Sequence, residues 1–133
     1  MNSLKTLSLV LVTAALLVNT LNGAEPTKDS LATVKKNVEN DKAVLVDVRE
    51  KGEWDNGHIK DATFLPLSEL RNGISPKTLS KRISKDQIIY THCAVGVRSC
   101  SAADILLKYG YDVRPLKPGY DDLLAAGFKK ASE

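Results

Sequence analysis

Short apolar runs alternate along the chain with stretches whose apolar residues recur every three or four positions. Residues 43–48 are almost continuously apolar, which suits a central parallel strand buried on both faces. Thr63-Phe64-Leu65 (stopped by Pro66), Ile88-Ile89-Tyr90 and residues 111–114 read as further short strands. Helical spacing fills the intervals. Leu31, Val34 and Val38 stand at i, i+3 and i+7 behind Asp29 or Ser30 as N-cap, and Asn40-Asp41-Lys42 ends that pattern. Residues 50–55 predict a short helix closed by Asn56-Gly57, with Trp54 as its apolar anchor. Ser68 is placed to cap a turn through Leu70 and Arg71, and Ser75-Pro76 to open a helix that turns Leu79 and Ile83 inward. Ala102, Ala103, Ile105, Leu106 and Leu107 predict a helix behind Ser99 as N-cap, and residues 119–126 a closing helix ended by Gly127. Strands and helices alternating over short connections predict an α/β fold, a parallel sheet with helices on both faces.

The N-terminus departs from this pattern. Residues 1–24 contain one charge, Lys5, and an apolar run from Leu7 to Val18, shorter than the roughly 20 residues that span a bilayer. A basic start, an apolar middle and a small-residue end at Gly23-Ala24 read as a signal peptide over 1–24, although Leu21 or Asn22 stands where a small residue is preferred. The protein is therefore expected to be exported, periplasmic or secreted, with no stable membrane insertion after cleavage. The remaining 109 residues, 25–133, suffice for one domain. They hold eighteen basic against sixteen acidic residues, a charge of +2, with no basic run or aromatic platform, so nucleic acid is not an expected partner.

Candidate chemistry lies where the Ile88 strand passes into the next helix. Only Cys93, small residues, Gly96 and Arg98 stand between them. A short loop entering a helix aims several backbone N–H groups at one spot, and the helix dipole adds partial positive charge. Cys93 at the head of such a loop, with Arg98 at its end, is expected to have a lowered pKa and to act as a nucleophile in an anion cradle formed by Ala94, Val95, Gly96, Val97, Arg98 and Ser99. The alternative for a lone thiol at a strand end is a buried structural residue. Two cysteines and two histidines form no recognisable zinc set, so no metal or organic cofactor is expected.

Residues 93–99 resemble the active-site loop of single-domain rhodaneses, sulfurtransferases that carry sulfur as a cysteine persulfide. Leu45-Val46-Asp47-Val48-Arg49-Glu50, Glu53-Trp54 and Gly57-His58-Ile59 resemble that family's first signature, and Leu116-Lys117-Pro118-Gly119-Tyr120, less closely, a later one. The likeness spans about residues 30–128. It implies a single rhodanese-like domain over 25–133, with a parallel sheet of about five strands. It also implies transfer of sulfane sulfur from a small donor such as thiosulfate to cyanide or a thiol, through a Cys93 persulfide. Counted from Cys93, Arg98 is the sixth residue, as in sulfur-carrying members; related phosphatases and arsenate reductases have one more loop residue.

The resemblance gives Asp47, Arg49 and His58 supporting roles, in shaping the pocket and as a hydrogen-bonding scaffold. Two partners suit Arg98: an anionic donor, the preferred reading, or a carboxylate that orders the loop. His92 is set aside, because neighbours on a strand point to opposite faces. Cys100, seven residues after Cys93, is either a small residue of the helix–sheet contact or the second thiol of a redox pair. A non-catalytic persulfide or sulfide carrier is the other alternative. Asp61 stands where the family usually has glycine, and Pro118 replaces the first of two glycines near the end.

Overall fold

The computed structural model describes residues 23–133; most of the expected signal peptide, residues 1–22, lies outside them. The elements are α1 (Leu31–Glu39), β1 (Ala43–Asp47), α2 (Lys51–Asp55), β2 (Thr63–Phe64), α3 (Leu67–Asn72), α4 (Pro76–Ser80), β3 (Ile88–His92), α5 (Val97–Lys108), β4 (Asp112–Pro115) and α6 (Tyr120–Ala125). The strands form one parallel sheet in the order β2-β1-β3-β4. That is four strands among the described residues, close to the five or so expected. The segment before α1 runs beside β4 but makes only one backbone bond to it, Thr27 N–H to Pro115 O at 2.7 Å, so no fifth ladder forms.

Side chains alternate across the sheet and build two cores. Val46, Val48 and Ile89 meet Leu67 and Leu70 of α3, Leu79 of α4 and Ala102, Ala103 and Leu106 of α5. On the opposite face Leu45 and Tyr90 meet Val34 of α1 and Leu123 of α6. Each of the larger apolar side chains stabilises the fold by roughly 1.5–3 kcal/mol through burial. Ser30 caps α1 through the Thr33 N–H, and Ser75 caps α4 through the Thr78 N–H with Pro76 in the first turn. Two expected caps fall elsewhere. Pro66 precedes α3, and the Ser68 hydroxyl donates instead to Glu50 Oε2 at 2.7 Å. Gly96, not Ser99, caps α5, because its φ of 87° provides the left-handed turn by which the loop enters the helix.

The chain leaves β1 toward β2 on one side and toward β3 on the other. The crevice between the carboxyl ends of β1 and β3 is thus a topological switch point, where open α/β sheets bind ligands. Asp47 and His92 end these two strands in register, and Cys93 follows at once.

Candidate active site

Cys93 is fully buried at the mouth of this crevice. The Gly96 N–H donates to Cys93 Sγ at 3.1 Å. Burial by itself pushes the thiol up, but hydrogen bonds from the Ser99, Val95 and Gly96 backbone, with the Ser99 side chain, outweigh it and hold Cys93 below its ordinary value. The charge on sulfur is therefore stabilised chiefly by backbone dipoles.

The loop is held from behind. Thr91 Oγ1 donates to Ser99 O at 2.9 Å, and the Ser99 hydroxyl lies 3.0 Å from Gly96 O and 2.8 Å from Leu116 O. The chain after β4 forms a strap across it. Tyr120 N–H donates to Cys93 O at 2.9 Å. Gly119 packs so closely that a Cβ there would lie 1.7 Å from Ala94 O, and Asp122 Oδ2 fixes it by accepting its N–H at 3.0 Å. A Cβ on Gly96 would lie 2.7 Å from Lys117 O. Of the two glycines usual near the end of the family's sequence, the one kept here is the one whose place has no room for a side chain. The loop side chains of Val95 and Val97 face solvent, at 76% and 67% exposure.

Arg98 bonds a carboxylate and makes no hydrogen bond to the sulfur. Its Nη1 and Nη2 reach Glu53 Oε1 and Oε2 at 2.6 and 2.8 Å, a fork of two charge-assisted bonds. Those bonds from Arg98 draw the Glu53 carboxyl down to about 2. Of the two partners the sequence allows Arg98, the carboxylate is the one in contact. Glu53 is a site residue that sequence reasoning passed over, although it stands in the Glu53-Trp54 pair one turn before Gly57-His58-Ile59. It also accepts the Glu50 N–H at 3.1 Å, which ties α2 to the cysteine loop.

Asp47 and Arg49 form a buried ion pair. Arg49 Nε lies 3.0 and 3.1 Å from the two Asp47 oxygens, and Nη2 lies 2.8 Å from Oδ2. Nη2 also donates to Gly57 O at 2.8 Å, while the guanidinium lies 4.2 Å from the centre of the Tyr120 ring. His58 stacks on Trp54 with ring centres 3.5 Å apart, and its Nδ1 lies 3.1 Å from Trp54 O. Trp54 thus anchors α2 by stacking on His58 and by a tilted contact with Phe64, and is only half-buried. Asp61 adopts φ 64°, the left-handed conformation that a glycine takes without strain and that aspartate tolerates.

His92 has a more specific place than its sequence position suggests. It is fully buried with Nε2 3.7 Å from Asp47 Oδ2, and neither ring nitrogen has a hydrogen-bond partner in the structure. Burial pushes its pKa down, so the ring is neutral at neutral pH. Cys93 and Cys100 are both free thiols, and burial raises the Cys100 pKa.

The profile of the rhodanese-like domain matches residues 30–126. Protein YqhL of Bacillus subtilis, uncharacterized, is 40% identical over 80 residues, 59% of this chain. The match likewise takes in 59% of YqhL, and a second match takes in 53% of a putative mitochondrial thiosulfate sulfurtransferase of Schizosaccharomyces pombe, so the chain spans little more than half the length of these two relatives. The human single-domain sulfurtransferase TSTD1 superposes with a TM-score of 0.65 at 25% identity, over 77% of this chain and 97% of that one. The Saccharomyces cerevisiae single-domain sulfurtransferase RDL2 does so at 0.64 and 27% identity, over 78% and 93%. A strand-end cysteine in a ring of amides, an aspartate–arginine pair beside it and a profile covering most of the described chain lead to one conclusion: this protein belongs to the rhodanese-like domain family.

Proposed function

We propose that the protein is an exported sulfurtransferase that moves sulfane sulfur from a small donor such as thiosulfate to a thiol or cyanide through a persulfide on Cys93. The observation that carries this reading is the Cys93 thiol held below its ordinary value by backbone donors. In the first half-reaction the thiolate attacks the outer sulfur of thiosulfate; the new S–S bond forms as the old one breaks, and sulfite leaves with the electron pair. The terminal sulfur then carries the negative charge, and the amides of residues 94–99 stabilise it as an oxyanion hole would. In the second half, the acceptor attacks that sulfur and Cys93 leaves as thiolate. Because Cys93 is fully buried, a donor reaches Sγ through local opening of the loop. In this reading Arg98 orders the loop through Glu53, while Asp47, Arg49 and His58 keep the crevice in shape.

The test is the intact mass of the purified protein before and after thiosulfate, with Cys93→Ser alongside. The expected result is a gain of one sulfur atom, removed by cyanide and absent from the variant. No gain by the reduced wild-type protein overturns the thiosulfate reading.

A further inference from the structure

The junction between the expected leader and the domain has a structural counterpart on α5. Ala24 is half-buried against the core formed by α3, α4 and α5, and its backbone N–H donates to Asp104 Oδ1 at 2.5 Å. The other oxygen faces the residue before it: a Cβ on Gly23 would lie 2.7 Å from Asp104 Oδ2. One half-buried carboxylate therefore straddles the Gly23–Ala24 peptide, and among the described residues no other donor reaches it. Among the described residues no Lys, Arg or His forms an ion pair with Asp104. From Ala24 onward the segment is tied down, by Thr27 N–H to Pro115 O and by Asp29, which accepts from Tyr90 Oη at 2.6 Å and Arg114 Nη1 at 3.0 Å.

We propose that Gly23–Ala24 is the bond cut when the leader is removed, and that the new α-ammonium group of Ala24 docks on Asp104. Hydrolysis consumes one water; Gly23 leaves as a carboxylate and Ala24 N gains protons. The nitrogen already sits on Oδ1, and departure of Gly23 clears the space in front of Oδ2. One neutral N–H donor thereby becomes a cation with three N–H donors facing two anionic acceptors, a charge-assisted contact of the stronger kind. Gly23 supplies the small residue that leader peptidases require on the amino side of the cut. Cutting one residue later, after Ala24, is equally open to the sequence, but it discards an alanine that packs on the core and leaves Asp104 without this partner.

The first experiment expresses the full chain in a bacterium with a periplasm and determines the N-terminus and intact mass of the exported protein. The expected terminus is Ala24. A terminus at Glu25 or elsewhere overturns the junction, and a retained leader overturns the leader reading beneath it. The second compares thermal unfolding of the Ala24-initiated protein with that of the same protein carrying a Met-Gly extension, each with and without Asp104→Asn. The substitution is expected to lower Tm by roughly 2–5 °C in the Ala24-initiated protein and clearly less in the extended one. Equal losses in both overturn the docked ammonium. Neither arm depends on the sulfur chemistry, so a failed thiosulfate experiment leaves this inference standing.

Discussion

The carboxyl ends of β1 and β3 lie side by side and are built in opposite ways. At the end of β1, Asp47 and Arg49 neutralise each other with side-chain charge, almost wholly out of water. At the end of β3, a single sulfur is surrounded by peptide N–H groups, and the one charged side chain of the loop, Arg98, is paired with Glu53. The first arrangement is closed, with its charges answered and no remaining demand for a ligand. The second holds partial positive charge with no fixed anion but the thiolate itself, which suits a group whose charge moves from Sγ to a second sulfur and back. A full cation at the sulfur would bind the anionic intermediate more tightly and release it more slowly.

The comparison breaks most sharply at Asp47. Asp47→Ala leaves Arg49 buried and unpaired, and losing one partner of a buried ion pair costs about 3–5 kcal/mol. Urea unfolding is the measurement. Asp47→Ala combined with Arg49→Met should recover part of the loss, since it removes the unanswered charge as well. A loss below 1 kcal/mol in the single variant would show that the pair is not structural.

Gly119→Ala attacks the other side. The added methyl meets Ala94 O, a backbone atom that cannot swing aside, so the strap or the cysteine loop must shift. Overpacking of this kind costs about 1–3 kcal/mol. Because the displaced peptide belongs to the amide ring, sulfur loading of Cys93 should fall by more than the unfolded fraction explains. Loading that tracks only the folded fraction would mean that the strap does not set the loop geometry.

How much of this was legible in the sequence follows from the range of the forces involved. Val46 and Ile89 announce themselves by apolar runs and Leu106 by helical spacing, because burial acts on each residue one at a time and does not need the partner's identity. Cys93, Gly96 and the helix behind them were equally legible, since loop and helix are contiguous. The caps at Ser68 and Ser99 were misplaced because both hydroxyls are taken by partners distant in sequence, Glu50 for one and Leu116 O for the other. Glu53 and Arg98 are 45 residues apart, and nothing local chooses between a carboxylate and a bound anion for the guanidinium. His92 was set aside by the correct rule that neighbours on a strand face opposite ways. Its importance comes from Asp47 on the adjacent strand, which only the register reveals.

Acid should weaken the closed side through His92. The groups facing its ring are Asp47, which favours protonation, and Arg49, which opposes it; burial opposes it more than either. The folded pKa lies below the unfolded value of 6.5, so this contribution to stability is complete above that value. It is lost as pH falls through the lower folded value, at up to about 1.4 kcal/mol per pH unit in between. Tm followed from pH 7 to pH 4 should decline in the wild type and flatten in His92→Gln. Parallel profiles would assign the acid limb to other groups.

The smallest expected change in stability decides the most about the sulfur side. Glu53→Gln keeps the shape of the side chain and removes its charge. Because both partners are about one-third exposed, the pair stabilises by only about 0.2–1 kcal/mol. With the Glu53 carboxyl held down to about 2, that contribution is present above pH 4.5 and is lost as pH falls toward 2. The effect on chemistry is where the two roles of Arg98 part. If Arg98 orders the loop, Glu53→Gln and Arg98→Lys should lower kcat/KM for thiosulfate together, each by roughly three- to tenfold, which corresponds to about 0.7–1.4 kcal/mol of transition-state stabilisation. If instead Arg98 binds the donor, releasing it from Glu53 should lower KM while Arg98→Lys raises it. The loop-ordering reading requires the two variants to move in the same direction; opposite shifts in KM would return Arg98 to the donor and make the cysteine loop a site of side-chain charge after all.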